Sequence, residues 1–137
     1  MLRHDGTAAR QLIADMYGCS SGILNDPEII KNTARRAVEM IGAEIVEESL
    51  HRFAPVGITY FAVITTSHFS IHTWPEFGYA AVDVFSCADG VPDSVAEFLK
   101  TAFGASSVRT RLIERIIGTE GSSAGARGYR SPENHAF

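Results

Sequence analysis

The chain has few cysteines and few lysines for its length. Of its 137 residues, two are cysteine (Cys19 and Cys87) and two are lysine (Lys31 and Lys100). Two cysteines are too few for the disulfide framework of a small secreted domain, so we expect reduced thiols and a cytoplasmic location. The scarcity of lysine leaves few candidates for chemistry that depends on a lysine Schiff base.

The chain also lacks an excess of positive charge and any long apolar run. Its net charge of -4 and its pI near 5.7 give no electrostatic footprint for nucleic acid. No apolar stretch approaches the ~20 residues that span a bilayer, and residues 1–11 lack the apolar region of a secretory signal. We therefore expect no nucleic-acid partner and no membrane association. The length of 137 residues is that of a single domain.

Hydrophobic periodicity and turn residues predict six strands and two helices. The first helix begins after Asp26, an N-cap residue followed by Pro27, and ends at Gly42. The second helix is predicted over 93–103, and the segment 19–26 is expected to be a loop. The strands are predicted over 8–17, 43–53, 58–66, 67–74, 78–86 and 107–117, with a bend or bulge near Thr66 and Ser67.

This β-α-β-β-β-β-α-β order favours an α+β fold. We predict a two-layer sandwich in which a mainly antiparallel sheet carries both helices on one face. Residues 1–117 are expected to form one catalytic domain. Residues 118–137 are rich in glycine and serine without periodicity, so they are expected to form a flexible tail.

The stretch 65–87 holds the densest set of reactive side chains. If Trp74 pairs with Gly78 across a proline turn, Cys87 becomes a diagonal neighbour of Ser67 on the same face. Their backbones would then lie about 7–8 Å apart. A slip of one residue would place the two side chains on opposite faces, so the contact depends on this register.

A metal site in this stretch fails on geometry. His68, His72 and Glu76 recur at intervals of four, which would put them on one face of a helix. The local sequence is typical of a strand, on which four residues span about 13 Å, and zinc cannot bridge that distance. A serine or cysteine nucleophile with a histidine base is a further alternative, although no G-x-S-x-G motif occurs. Taken singly, such strand residues have ordinary structural roles, and only the joint pattern points to a site.

That joint pattern resembles the bacterial and archaeal S-adenosylmethionine decarboxylases. The resemblance is densest over residues 50–87, where SHFSIHTWPEFGYAAVDVF is close to the signature of the family. It continues more weakly through the first strand, the two helices and the last strand. It implies an α+β fold and pyruvoyl-dependent decarboxylation of S-adenosylmethionine, which yields the aminopropyl donor of polyamine synthesis.

The resemblance also implies that the chain cuts itself between Thr66 and Ser67, giving chains of residues 1–66 and 67–137. The Ser67 hydroxyl attacks the Thr66 carbonyl, and elimination followed by hydrolysis leaves a pyruvoyl group at Ser67. His72 matches the histidine that takes the α-proton in the elimination. Thr59 matches a serine that supports processing. The implied cofactor is this pyruvoyl group, with neither pyridoxal phosphate nor a metal.

Four further matches concern the substrate. Cys87 matches the residue that returns a proton to the α-carbon, while the pyruvoyl ketone binds the substrate amine. Phe53 and Trp74 match an aromatic pair that encloses the adenine, where stacking is worth ~1–3 kcal/mol by analogy with base stacking. Glu76 matches the carboxylate that binds the ribose hydroxyls.

The spacing of His72 predicts an oligomer. His72 lies five residues after Ser67, which is about 16 Å along a straight strand, and on the opposite face. We therefore expect His72 to reach the Ser67 site from a second subunit, and we predict a symmetric homodimer with shared active sites.

The chain departs from the family at Thr66, where a glutamate is usual, and at Val56. Two alternatives therefore stay open. The first is the same pyruvoyl chemistry on another amino acid, such as ornithine or arginine. The second is a homologue that is neither processed nor catalytic.

Overall fold

A computed structural model describes residues 7–65, 67–87 and 91–118. Thr66 and all but the first residue of the predicted tail at 118–137 lie outside the described residues. The described elements are β1 Thr7–Tyr17, α1 Ser21–Leu24, α2 Pro27–Ile41, β2 Ile45–Arg52, β3 Ile58–Ile64, β4 Ser67–Trp74, a 3₁₀ turn Pro75–Phe77, β5 Tyr79–Ser86, α3 Asp93–Ala102 and β6 Ser107–Ile117.

The six strands form one antiparallel sheet in the order β2-β3-β4-β5-β1-β6. Inward residues of the strands and apolar residues of the helices make a single core on one face of the sheet. The predicted α+β sandwich is therefore confirmed. β4 is an interior strand, paired with β3 on one side and β5 on the other, so its backbone position is fixed from both sides.

Helix α2 forms for the reasons that its sequence suggests. The Asp26 carboxylate accepts hydrogen bonds from the backbone N–H groups of Glu28 and Ile29 at 3.0 and 3.2 Å, and Pro27 occupies the first turn. Gly42 ends the helix in the left-handed region, with φ 84°. The side chains that α2 buries recur at helical spacing, and they are Ile30, Thr33, Ala34, Ala37, Val38 and Ile41.

The prediction of a loop over 19–26 is wrong for its central part. Residues Ser21–Leu24 form one helical turn, and the Ser20 hydroxyl accepts a hydrogen bond from the Ile23 N–H at 3.3 Å. Leu24 is fully buried, and its carbonyl accepts a hydrogen bond from the Thr73 hydroxyl at 2.9 Å. Tertiary packing of Leu24 thus fixes a turn that serine and glycine alone do not predict.

The expected bend before β4 is a complete reversal. Ile64 of β3 lies directly opposite Ser67 of β4, so only residues 65 and 66 connect the two antiparallel strands. Ser67, the predicted cleavage residue, is therefore the first residue after a two-residue hairpin connection.

The second face of the sheet, called the open face below, is not covered by any helix of the described residues. Residues that alternate with the buried strand positions form it, and Phe61 and Val63 are 42% and 40% exposed there. None of the described helices is long and apolar enough to cross a membrane. Other residues of the open face are Gln11, Asp15, Thr59, His68, His72, Trp74, Tyr79, Asp83 and Phe85.

Candidate active site

The register of β4 against β5 differs by one residue from the prediction. Trp74 pairs with Tyr79 and not with Gly78, which puts His68 opposite Phe85. The cause is that Gly78 belongs to the turn, where it adopts the left-handed region with φ 62°. A β-carbon at Gly78 would lie 3.2 Å from the backbone oxygen of Cys19, which packs against the turn.

Ser67 and Cys87 nevertheless meet. The Ser67 hydroxyl donates a hydrogen bond to the Cys87 sulfur at 3.5 Å, and the thiol is buried. The observed register, extended by one residue, would place Ser67 opposite Ser86. Cys87 follows the end of β5, where the ladder no longer dictates the direction of the side chain. The predicted contact is therefore confirmed, although the register used to predict it was wrong.

The other predicted site residues that the structure describes line a pocket at the opposite end of β4. This cavity has a volume of about 260 Å³. A larger, open groove adjoins it and shares Val56 and Glu76 with it. The predicted residues that line the smaller cavity are Phe53, Thr59, His72, Trp74 and Glu76.

Trp74 is supported from both sides on the open face. The rings of His72 and Tyr79 have their centroids 6.4 and 5.4 Å from that of Trp74. The Tyr79 hydroxyl donates a hydrogen bond to Asp15 at 2.6 Å. Burial, together with this hydrogen bond, raises the pKa of Tyr79, so the hydroxyl stays protonated and continues to donate. Tyr79 and Asp15 were not predicted as site residues. Their only signal was the alternation of polar residues along β1 and β5.

Phe53 is held by the loop that follows β2. Its backbone N–H donates a hydrogen bond to the Gly57 carbonyl at 2.8 Å, and the Gly57 N–H donates to the Asn25 side chain at 3.0 Å. The His51 ring packs edge-on against Phe53, with centroids 4.4 Å apart. Phe53 and Trp74 remain 49% and 38% exposed, which leaves apolar ring surface at the pocket.

Thr59 and His72 are direct cross-strand partners. Thr59 lies opposite His72 in the β3–β4 ladder, and the Thr59 hydroxyl lies 3.0 Å from the His72 Nδ1. The hydroxyl can fix the orientation of the imidazole, so that the second ring nitrogen is the one available to accept or donate a proton.

Two groups of predicted site residues therefore lie at opposite ends of one strand. The ladders on both sides of β4 run from His68 to His72 without a register shift, so the strand does not fold back on itself. The five-residue separation of Ser67 and His72 remains about 16 Å by strand geometry. Within one subunit, Ser67 contacts Cys87 and His72 contacts Thr59. The two pairs lie at opposite ends of β4 and are not in contact with each other.

A third polar group on the open face was missed by the sequence reasoning. The His68 Nε2 lies 3.2 Å from the Asp83 carboxylate, whose other oxygen accepts a hydrogen bond from Gln11 at 3.0 Å. The His68 ring stacks on Phe61 and approaches Phe85, with centroids 5.6 and 6.0 Å away. In the correct register His68 is diagonal to Asp83, and the one-residue error hid this proximity.

The described residues hold no group of three histidine, cysteine, aspartate or glutamate side chains that could bind a metal ion. His68 pairs with Asp83 and His72 with Thr59. His68 and His72 lie four residues apart on β4, and Glu76 lies in the turn that follows it.

The fold and these groups define a class: a small α+β sandwich with a serine–cysteine pair at one end of an interior strand and an aromatic and carboxylate pocket at the other. Residues 10–116 match the model of the S-adenosylmethionine decarboxylase family. The chain belongs to that family.

Similar proteins agree with this assignment. The S-adenosylmethionine decarboxylase proenzyme of Moorella thermoacetica is 45% identical over 109 residues, which cover 79% of this chain and 87% of that protein. The corresponding proenzyme of Carboxydothermus hydrogenoformans is 42% identical over 112 residues, covering 81% and 88%. The crystal structure of the adenosylmethionine decarboxylase from Aquifex aeolicus superposes with a TM-score of 0.72 at 30% identity, covering 84% of this chain and 96% of that one.

Proposed function

We propose that this protein is a proenzyme that cuts itself between Thr66 and Ser67 and then decarboxylates S-adenosylmethionine with a pyruvoyl group derived from Ser67. Family membership supports the substrate. The observation that carries the proposal is the contact between the Ser67 hydroxyl and the Cys87 thiol, 3.5 Å long, at the first residue after the hairpin connection.

Self-cleavage requires a nucleophile and a base. The Ser67 Oγ attacks the Thr66 carbonyl carbon, the C–N bond breaks, and the amide becomes an ester with a free amine. Removal of the Ser67 α-proton breaks the Cβ–O bond and releases the Thr66 carboxylate. One water then replaces the nitrogen of the resulting dehydroalanine, and ammonia leaves. Because the attack uses the backbone carbonyl, a threonine side chain at this position is compatible with it.

The residues present fit a pyruvoyl group at position 67. Ser67 supplies the carbon skeleton, and the Cys87 thiol lies beside it. When present, the group supplies a carbonyl that binds the substrate amine and accepts the electrons released as carbon dioxide leaves. Cys87 then returns a proton to the α-carbon, and its burial keeps bulk water from competing for that carbon.

The pocket supplies nucleoside recognition. The exposed faces of Phe53 and Trp74 would enclose the adenine, and Glu76 would accept hydrogen bonds from the ribose hydroxyls. The cavity of about 260 Å³ lies just below the usual range for a ligand of this size, roughly 300–1,000 Å³. This small volume is consistent with a site that a second subunit completes.

A symmetric homodimer would join the two groups. A two-fold axis that crosses β4 near its middle would bring the His72 end of one subunit over the Ser67 end of the other. The open face offers Phe61 and Val63 for such a contact, and facing sheets pack about 10 Å apart, within reach of side chains. In this dimer His72, oriented by Thr59, would act on Ser67 of the partner subunit.

Mass spectrometry under denaturing conditions tests the cleavage. We expect two chains, residues 1–66 and residues 67–137 with a pyruvoyl terminus, whereas Ser67→Ala should remain intact. Ser70→Ala, a buried serine on the same strand, is the matched control and should be cut. An intact wild-type chain would overturn the proposal.

Release of carbon dioxide tests the substrate. We expect turnover of S-adenosylmethionine and not of ornithine or arginine. Faster release from either amino acid would reassign the substrate while leaving the pyruvoyl chemistry in place. Cys19 and Cys87 are both buried and neither forms a disulfide, which supports a reducing compartment, and we propose the cytoplasm.

A further inference from the structure

Thr65, two residues before Ser67, is hydrogen-bonded to Glu44, the residue that precedes β2. The Thr65 N–H donates a hydrogen bond to the Glu44 carbonyl at 2.9 Å, and the Thr65 hydroxyl accepts one from the Glu44 N–H at 3.0 Å. Glu44 immediately precedes β2, so these two bonds fasten the end of β3 to the start of β2. Neither residue lines the pocket.

The hairpin connection needs such an anchor. Two-residue connections between antiparallel strands are usually formed by Asn-Gly, Asp-Gly or another glycine-containing pair, because one or both positions require a positive φ. Here the two connecting residues are Thr65 and Thr66, so no glycine sets the turn, and no described residue other than glycine has a positive φ. The position of the chain before the junction therefore depends on the contacts of Thr65 with Glu44.

We propose that the Thr65–Glu44 pair positions the carbonyl side of the junction for attack by Ser67. This inference rests on the proposed self-cleavage. Ser67 is held separately, by its pairing with Ile64 and its contact with Cys87. Thr65 and Ser67, the described residues on either side of Thr66, are thus held by different contacts, and the rate of an intramolecular attack depends strongly on how well the neighbouring chain is positioned. Thr65 is a positioning residue and touches no reacting atom.

The inference predicts different effects on the rate of self-cleavage and on the rate of decarboxylation. Loss of the Thr65 hydroxyl should slow cleavage, because one of the two bonds is lost while the backbone bond to Glu44 remains. It should not change decarboxylation by chains that have been cut, because Thr65 does not line the pocket. A purely structural role would lower stability without this separation.

The test compares Thr65→Val, which keeps the shape, with Thr65→Ser, which keeps the hydroxyl. Conversion of freshly synthesised intact chain into its two fragments is followed by mass spectrometry. We expect cleavage roughly threefold to tenfold slower for Thr65→Val, as befits one exposed hydrogen bond. Thr65→Ser should stay within about twofold of the wild type. Thr110→Val, an exposed threonine on β6, is the matched control and should cut at the wild-type rate.

Two further measurements complete the test. Turnover per cut chain should be equal for Thr65→Val and the wild type. Thermal unfolding in the uncut Ser67→Ala background shows whether Thr65→Val destabilises the fold more than Thr110→Val does. Cleavage of Thr65→Val at the wild-type rate would overturn this inference alone, as would slowing that Thr65→Ser shares. An uncut wild-type chain would instead overturn the proposed function, and this inference with it.

Discussion

At the scale of single residues, the groups proposed to react and the groups proposed to hold the substrate lie at different ends of β4. Ser67 and Cys87 are in contact, while Trp74 and Phe53 present partly exposed rings at the other end. The contacts around each ring explain its position: Trp74 packs against Tyr79, and Phe53 is fixed by the loop that closes at Gly57. Recognition should therefore be separable from cleavage by mutation.

Removal of either ring should weaken substrate binding. We expect Trp74→Ala and Phe53→Ala each to raise the KM for S-adenosylmethionine roughly tenfold or more, because base stacking on an aromatic ring is worth ~1–3 kcal/mol. Cleavage should continue, as neither ring touches Ser67. Phe77→Ala is the control, since Phe77 is 76% exposed on the adjacent turn and does not line the pocket. A KM unchanged in both ring variants would contradict the assignment of the pocket.

At the scale of elements, hydrophobic period and caps were enough to predict most boundaries. β4 and β6 have the predicted limits, and α2 starts and ends at its predicted caps. Gly78 was misassigned because local sequence does not show that the turn packs on Cys19, with the Cys19 N–H donating to the Gly78 carbonyl at 2.9 Å. That tertiary contact shifts the β4–β5 register by one residue. It is also why the pairing of His68 with Asp83 could not be predicted.

Helix α2 is joined to the sheet by a charged contact. Glu48 of β2 accepts hydrogen bonds from the Arg35 side chain, including one from Nε at 3.0 Å, and another from the Tyr60 hydroxyl at 2.6 Å. The hydrogen bonds from Arg35 and Tyr60 hold the pKa of Glu48 below its usual value. Since the folded pKa is the lower one, this contribution to stability is present above the unfolded pKa, near 4.3, and is lost as the pH falls through the folded value.

Glu48→Gln should therefore destabilise the protein in a pH-dependent way. We expect a loss of about 0.5–1 kcal/mol in the free energy of unfolding at pH 7, discounted because the Arg35 side chain is 52% exposed. The difference from the parent should shrink as the pH falls below about 4. Denaturant unfolding in the uncut Ser67→Ala background measures both. Glu39→Gln, which removes an exposed ion pair with Arg36, is the control. It should change the free energy of unfolding by about 0.3 kcal/mol or less. An equal loss at pH 3 and pH 7 would be inconsistent with the assigned pair.

At the scale of the whole molecule, the two groups of predicted site residues lie at opposite ends of β4 within one subunit. The open face bears exposed Phe61 and Val63 beside the ordered polar residues His68, Asp83 and His72, and no described helix covers it. The sequence could predict that Ser67 and His72 are far apart, because strand geometry fixes that distance. It could not predict the face that a partner would cover, because that depends on which strand residues the helices leave exposed.

Shared sites can be tested by mixing two defective chains. Cys87→Ala should be cut yet turn over slowly, and Trp74→Ala should bind substrate weakly, so each homodimer is poorly active at limiting substrate. In an equal mixture that exchanges subunits, half of the dimers are hybrids, and each hybrid of a symmetric dimer has one site with both halves intact. We expect recovery of roughly a quarter of the wild-type activity. Cys19→Ala mixed with Cys87→Ala measures the recovery due to one intact chain. Failure of the first mixture to regain activity, with exchange verified by native mass spectrometry, would show that each site belongs to a single chain.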